Sequence, residues 1–84
     1  MTYTIEIKAS ALKELAALPT QIAHRARTAI AALATTPRPA GSRKLAGSDR
    51  RYRIRVSDWR IVYEIFDDRL VVIVAVAHRS EVYR

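Results

Sequence analysis

Arginines alternate with apolar residues in the segment 51–56, and Arg60 follows in the next apolar segment. A guanidinium keeps its charge at any ordinary pH and binds phosphate oxygens through paired hydrogen bonds. Several guanidiniums on one face could hold a backbone phosphate and stabilise the added negative charge of a phosphoryl-transfer transition state. We expect Arg53, Arg55 and Arg60 to provide this chemistry.

The whole chain is basic, with a net charge of +7 over 84 residues. Seven of its fifteen basic residues lie between Arg43 and Arg60, where only Asp49 and Asp58 oppose them. This balance favours a polyanionic partner, either nucleic acid or an acidic protein. The alternative is an ordinary solvated basic surface. Clustering favours the first interpretation, in which contacts to an RNA backbone come from a second set of residues: Arg43, Lys44, Arg50 and Arg51.

Several other chemistries find no support in the residue types. The chain has no cysteine, and its two histidines lie far apart, so neither thiolate chemistry nor a zinc site is expected. With only two glycines, it has no glycine-rich phosphate loop. The longest apolar run, 70–77, is far shorter than the ~20 residues of a membrane-spanning helix. We expect a cytoplasmic protein that needs no metal and no cofactor.

The periodicity predicts one α+β domain over residues 1–84, in the order strand, helix, helix and three antiparallel strands (β-α-α-β-β-β). Residues 2–8 alternate as a strand. Ser10 and Thr20 are good N-caps for two helices, which end at Pro19 and near Pro37. Ser57-Asp58 fits a tight hairpin turn. The last strand, 70–78, is apolar on both faces, which is typical of the middle of a sheet.

The two helices must bury their apolar sides on one face of this four-stranded sheet. The face they cover should be the more apolar one: Tyr52, Ile54, Val56, Ile61, Tyr63 and Ile65. The open face then carries Arg53, Arg55, Arg60 and Glu64. In the last strand, Val71, Ile73, Ala75 and Ala77 shrink towards the end, with Arg79 in phase. Two alanines beside the arginines would leave a shallow depression, so we place this set on the open face and His78 on the other.

The order and spacing of several motifs together resemble the RelE/ParE superfamily of bacterial toxins. The motifs are Y-R-I-R-V-S-D-W-R-I-V-Y-E-I, a D-D turn, an apolar strand and A-H-R-S-E-V-Y. RelE is the more similar branch, and the resemblance covers nearly the whole chain. It implies a toxin of a type II toxin–antitoxin system that cuts mRNA in the ribosome without metal. The positions that match functional residues of the family are Arg53, Arg55, Arg60, Arg79 and Tyr83.

One departure from the family pattern concerns the proton acceptor. The well-known RelE toxins have lysines where this chain has Arg53 and Arg55. A lysine can lose its proton when its pKa is lowered, whereas an arginine practically cannot. The resemblance implies that a ribose 2′-hydroxyl attacks the adjacent phosphate. Either the arginines act only as electrostatic clamps, or Glu64 or His78 accepts the proton of this hydroxyl. A third alternative is that cleavage is slow or absent.

Two other functions remain open at this level. The chain could be a ParE-like toxin that inhibits DNA gyrase by binding, or a basic RNA-binding homologue without activity. Either toxin function implies an acidic antitoxin, RelB-like or Phd/YefM-like, as the partner, with promoter DNA bound only through that antitoxin. The RelE-like function adds the ribosome and mRNA as partners, and none of the three implies a membrane.

Overall fold

A computed structural model describes residues 2–67 and 69–82. The elements follow in the order β1 (Thr4–Ile7), α1 (Ala9–Ala16), α2 (Thr20–Ala32), β2 (Arg43–Lys44), β3 (Arg51–Val56), β4 (Trp59–Phe66), β5 (Leu70–His78) and α3 (Arg79–Val82). The sheet has the order β1-β5-β4-β3-β2, in which β1 runs parallel to β5 and the other pairs are antiparallel. The predicted α+β fold and the central position of the last strand are confirmed. The two-residue strand β2 and the short helix α3 were not foreseen.

Helices α1 and α2 cover the predicted face of the sheet. The buried core joins Leu15, Ile30 and Leu33 from the helical side to Ile61 and Tyr63 on β4. Burying a large apolar side chain of this kind stabilises the fold by roughly 1.5–3 kcal/mol. The opposite face of the sheet has no helix of this hairpin on it, so it is called the open face below. Within the described residues, no helix combines the length and apolar character needed to cross a membrane.

The two predicted helix caps are wrong by one or two residues. Lys8 and Pro19 occupy the N-cap positions, and neither helix has a side-chain cap. The cause is the short connection before each helix. Strand β1 is still bonded to β5 at Lys8, whose amide donates to the Ile73 carbonyl, and the Lys8 carbonyl already accepts from Leu12. Ser10 and Thr20 therefore lie within the first turns, where an N-cap bond cannot form.

The turn between β3 and β4 is the predicted two-residue connection. Val56 pairs with Trp59, and Ser57 has a left-handed backbone with a φ of 56°. Asp67, in the next turn, also has a positive φ of 54°. Non-glycine residues adopt this conformation at some cost in free energy. The register across the hairpin is nevertheless regular, which fixes the facing of every arginine on β3 and β4.

The predicted facing of the side chains is wrong for the first half of β5 and right for the second half. The reason is a β-bulge that interrupts the pairing of β4 with β5. The register shifts between Val62, which pairs with Ala75, and Tyr63, which pairs with Ile73. An extra residue in one strand reverses the alternation beyond it. Val71 and Ile73 are therefore fully buried in the core beneath the helices. Ala75 and Ala77, on the other side of the bulge, lie on the open face as predicted.

Glu14 on α1 is expected to contribute about 1.5–3 kcal/mol to the free energy of unfolding. Its Oε1 accepts a hydrogen bond from the Val76 amide at 2.9 Å, beyond the point where β1 stops pairing with β5. Glu14→Ala would leave that partly buried amide without this acceptor. Glu14→Gln keeps a neutral acceptor and should reduce the free energy of unfolding clearly less than Glu14→Ala. Urea unfolding of both variants measures the difference, and equal losses would contradict this role.

Candidate active site and nucleic-acid interface

Two pairs of arginines face each other across neighbouring strands of the open face. Arg55 on β3 lies directly opposite Arg60 on β4, and Arg43 on β2 lies opposite Arg53 on β3. Like charges in directly opposite positions destabilise a sheet. An anion bound between two such side chains would remove the repulsion. These four residues are called the arginine face, and the alternation of β3 places them opposite the buried Ile54 and Val56.

A shallow floor of small residues adjoins the Arg55–Arg60 pair. Ala77 on β5 lies opposite Arg60 on the side away from Arg55, and Ala75 lies opposite Val62. Because a methyl group does not reach far above the sheet, these two positions of β5 place no long side chain beside Arg55 and Arg60. The bulge makes this arrangement possible, since without it the two positions would point into the core.

Arg60 is far more buried than its position on the open face led us to expect. Only 4% of its surface is exposed, and its Nη1 donates a hydrogen bond to the Trp59 carbonyl at 3.3 Å. Removing a charge from water costs several kcal/mol unless other groups compensate. In turn, the low local dielectric strengthens its attraction for an anion. Arg55 is exposed and Arg53 is half-buried, so a ligand meets Arg55 first.

The opposite end of the open face is a separate, neutralised region. Arg51 lies opposite Glu64, and its Nη2 forms an ion pair with Glu64 Oε2 at 2.9 Å. The guanidinium of Arg50 stacks over the Phe66 ring at 4.7 Å from the ring centre. Glu64 follows Arg60 by four residues along β4, which is about 13 Å in a strand. The structure therefore places Glu64 far along β4 from Arg60, and it engages Arg51, the neighbour of Arg53 on this face, in an ion pair with Glu64.

Two other predicted site residues lie on the helical side of the sheet. Lys44 pairs with Tyr52, which packs against the core, so Lys44 and Arg43 point to opposite faces. His78 pairs with Trp59 and meets its ring edge-on, with ring centres 5.4 Å apart. Its Nδ1 lies 3.1 Å from Ser80 Oγ. The prediction that His78 faces away from the arginines is confirmed.

Two predicted site residues, Arg79 and Tyr83, follow β5 in the sequence. Arg79 does not extend β5; it begins α3, with an exposed side chain and with its amide donating to the Asp58 carbonyl at 2.8 Å. This bond attaches the start of α3 to the β3–β4 turn, near Arg60. The predicted placement of Arg79 in phase on the strand is therefore wrong, although Arg79 remains close to that turn. Tyr83 lies outside the described residues.

Sequence reasoning missed a polar cluster that holds the loop 37–42 against the helical side of the sheet. The Tyr63 hydroxyl donates to the Pro37 carbonyl at 2.7 Å, and the Tyr63 ring stacks on Tyr52. Arg38 donates through Nε to the Tyr52 hydroxyl at 3.2 Å. Burial raises the pKa of Tyr63 to about 12, and the hydrogen bond to Tyr52 raises the pKa of Arg38. The available signal was the pair of tyrosines at equivalent positions of β3 and β4.

The loop held by this cluster borders the arginine face. Gly41, with a φ of 90°, lies beside Arg43, Arg53 and Arg55 around a cavity of about 320 Å³. A side chain at this φ would be strained, so glycine suits the position. Among the described residues, no three histidine, aspartate or glutamate side chains are grouped closely enough to hold a metal ion. The groups that line this end of the open face suit an anion.

Comparisons with known proteins agree with this fold. A sequence model of the ParE toxin of type II toxin–antitoxin systems matches residues 5–83. The toxin RelE1 of Methanocaldococcus jannaschii is 32% identical, over 100% of this chain and 98% of its own length. A mutant of the Escherichia coli toxin RelE in the free state superposes with a TM-score of 0.80 at 30% identity, covering 99% of this chain and 92% of that one.

A third relative was solved together with a partner protein. In the RelE–RelB complex of Pyrococcus horikoshii, the matched chain has a TM-score of 0.82 and 28% identity, covering 94% of this chain and 97% of its own. The sequence match spans nearly the whole chain, and the fold agrees from β1 onwards. The chain therefore belongs to the RelE/ParE superfamily and is a toxin of a type II toxin–antitoxin system.

Proposed function

We propose that the chain is an endoribonuclease that cuts mRNA on the ribosome and thereby stops translation. The observation that carries this proposal is the Arg55–Arg60 pair beside Ala77. An exposed arginine directly opposite a buried one, above a floor of small side chains, forms a site for a single phosphate. Three of the relatives above carry the name RelE, which favours the RNase over the other activities of the superfamily.

The proposed reaction is attack of a ribose 2′-hydroxyl on the adjacent phosphate. The 2′-oxygen forms a bond to phosphorus, the bond from phosphorus to the 5′-oxygen breaks, and the products are a 2′,3′-cyclic phosphate and a 5′-hydroxyl. The 2′-hydroxyl loses one proton and the 5′-oxygen gains one. Arg55 binds the phosphate first and Arg60 stabilises the charge of the transition state. Arg53 adds positive charge beside this phosphate, Arg79 acts near the leaving oxygen, and Tyr83 positions a base.

We assign water as the group that accepts the proton of the 2′-hydroxyl. Glu64 is held by Arg51 at the far end of the open face, and His78 packs against Trp59 on the helical side. Since arginine does not accept a proton, the arginine face can lower the barrier only through charge. An enzyme of this kind gains rate from electrostatic stabilisation alone.

Replacing Glu64 with glutamine is expected to leave the cleavage rate within about threefold of the wild-type value, because Glu64 is four residues, or about 13 Å of strand, from Arg60 and is paired with Arg51. The ion pair with Arg51 is partly exposed, so its loss should reduce the unfolding free energy by at most about 1 kcal/mol. Cleavage of a defined mRNA by purified protein and ribosomes measures the rate. A loss of 100-fold or more would identify Glu64 as the proton acceptor and contradict the assignment to water.

The antitoxin partner is expected to be acidic. The chain carries a net charge of +7, and opposite charges across an interface accelerate association and fix the register. An acidic segment on the arginine face would also compete with RNA for the same guanidiniums. We propose that promoter DNA binds through the antitoxin and that toxin and antitoxin meet in the cytoplasm. Whether the antitoxin is RelB-like or Phd/YefM-like is decided by sequencing the co-purified partner.

Inhibition of DNA gyrase by binding is the second candidate, because the matching family model is that of the ParE toxin. The two functions separate on induction of the toxin in cells. The RNase produces mRNA fragments that appear only during translation, while DNA supercoiling stays normal. A gyrase inhibitor leaves mRNA intact and triggers a DNA-damage response. Intact mRNA in arrested cells would therefore overturn the proposed RNase activity.

A further inference from the structure

The second arginine pair of the arginine face, Arg43 and Arg53, borders a cavity of its own. The two side chains lie directly opposite each other across β2 and β3, on the same face as Arg55 and Arg60. Together with Arg55 and Gly41 they line a cavity of about 320 Å³ beside the loop 37–42. The cavity thus has cationic walls on β2 and β3, and a glycine that leaves its loop side open.

We propose that this cavity is a second phosphate subsite, which holds the backbone phosphate next to the one that is cut. The inference rests on the proposed function and deepens it, because it assigns the path of the RNA strand. From the Arg55–Arg60 pair the strand would run across β3 towards β2 and the loop 37–42. The ligand class is a single-stranded nucleic acid with at least two consecutive phosphates.

The spacing of the two pairs agrees with this path. Arg53 and Arg55 are two residues apart on β3, which is about 6.8 Å, and each pair extends to a different neighbouring strand about 4.8 Å away. One extended nucleotide unit can bridge such a separation. Two guanidiniums in directly opposite positions also give the second phosphate two charged hydrogen-bond donors besides those of the first pair. Arg43 is exposed at the edge of the sheet, so the RNA can leave there into solvent.

Lys44 offers a matched control for Arg43. It follows Arg43 directly in β2, is equally exposed and carries the same charge, but it pairs with Tyr52 and points to the other face. Arg43→Ala and Lys44→Ala therefore remove the same charge from neighbouring positions. Only the first substitution removes a wall of the cavity.

The test is binding of two 2′-O-methyl RNA probes, which cannot be cut: a dinucleotide with a single phosphate and a trinucleotide with two. Wild-type protein should bind the trinucleotide more tightly, and the trinucleotide should shift the amide NMR signal of Gly41. Arg43→Ala should weaken trinucleotide binding by roughly tenfold, the value of a charged hydrogen bond, and leave dinucleotide binding unchanged. Lys44→Ala should change neither by more than about twofold.

Three outcomes would overturn the subsite. The first is equal weakening by Arg43→Ala and Lys44→Ala, which would mean a general effect of charge. The second is equal affinity of the wild-type protein for both probes, and the third is absence of binding to either. Failure of the proposed function looks different: length-dependent binding would persist while ribosome-dependent cleavage is missing. Failure of the subsite alone gives the reverse result: the wild-type protein cuts mRNA on the ribosome, but its binding does not depend on probe length.

Discussion

Arg60→Ala is expected to reduce the rate of mRNA cleavage by about 100-fold or more, the usual cost of losing one transition-state donor in a water-poor site. Only 4% of the surface of Arg60 is exposed, so bulk water cannot replace its charge efficiently. Arg60→Lys keeps the charge but loses the paired hydrogen bonds. Its cleavage rate should lie between that of the wild-type protein and that of Arg60→Ala. Single-turnover cleavage of a defined mRNA in a purified translation system measures all three proteins.

Lys44→Ala is the control for this experiment, since it removes one positive charge from the other face of the sheet. Thermal unfolding of Arg60→Ala must accompany the rates, because a buried side chain also affects stability. A folded Arg60→Ala protein that cuts at the wild-type rate would remove Arg60 from the reaction. If Arg60→Lys matched Arg60→Ala, the geometry of the guanidinium would matter more than its charge.

The largest effect on stability is expected for Tyr63, which is fully buried. Tyr63→Ala should reduce the free energy of unfolding by about 3–5 kcal/mol, because it leaves a large cavity in the core. Tyr63→Phe keeps the ring and removes only the hydrogen bond to the Pro37 carbonyl, which should cost about 1–3 kcal/mol. Chemical denaturation of the two variants separates the ring from the hydroxyl. Equal losses would contradict a separate role for the hydroxyl.

Tyr63 also makes the stability sensitive to alkaline pH. Burial raises its pKa from 10.0 to about 12, so the folded protein keeps the phenol proton that the unfolded chain loses. Its contribution is complete below pH 10 and decreases as the pH rises from 10 to about 12. Tyr63→Phe should not show this part of the decrease in the free energy of unfolding at alkaline pH. Unfolding curves measured at pH 9 and at pH 11 test the difference, and parallel losses in both proteins would contradict it.

The sequence predicted the elements well because their periodicities are unambiguous. Alternation in β3 and β4 assigned Ile54, Ile61 and Tyr63 to the core and the arginines to the other face, and the register agrees. The same method failed in the first half of β5. That strand is apolar on both faces, so no residue type marks where a bulge reverses the alternation, and Val71 and Ile73 were placed on the wrong face.

The sequence indicated which arginines belong to the site, but not which way each side chain faces or how deeply it is buried. Sequence placed Arg43 and Lys44 together as RNA contacts, whereas pairing with β3 sends them to opposite faces. It treated Arg60 as an ordinary open-face residue, because burial depends on side chains brought from distant segments. The cluster around Arg38 and Tyr63 was missed for the same reason, since its contacts join residues that are 26 positions apart in the case of Tyr63 and Pro37.

Cleavage of an mRNA that carries one 2′-deoxynucleotide tests the central claim most directly. The proposed reaction uses the 2′-hydroxyl as the nucleophile, and the arginine face only stabilises charge. With purified ribosomes, the wild-type toxin should cut the all-ribose mRNA, leave a 2′,3′-cyclic phosphate, and leave the message uncut where the 2′-hydroxyl is missing. Cutting at the deoxy position, or an intact all-ribose mRNA beside inhibited gyrase, would contradict the account.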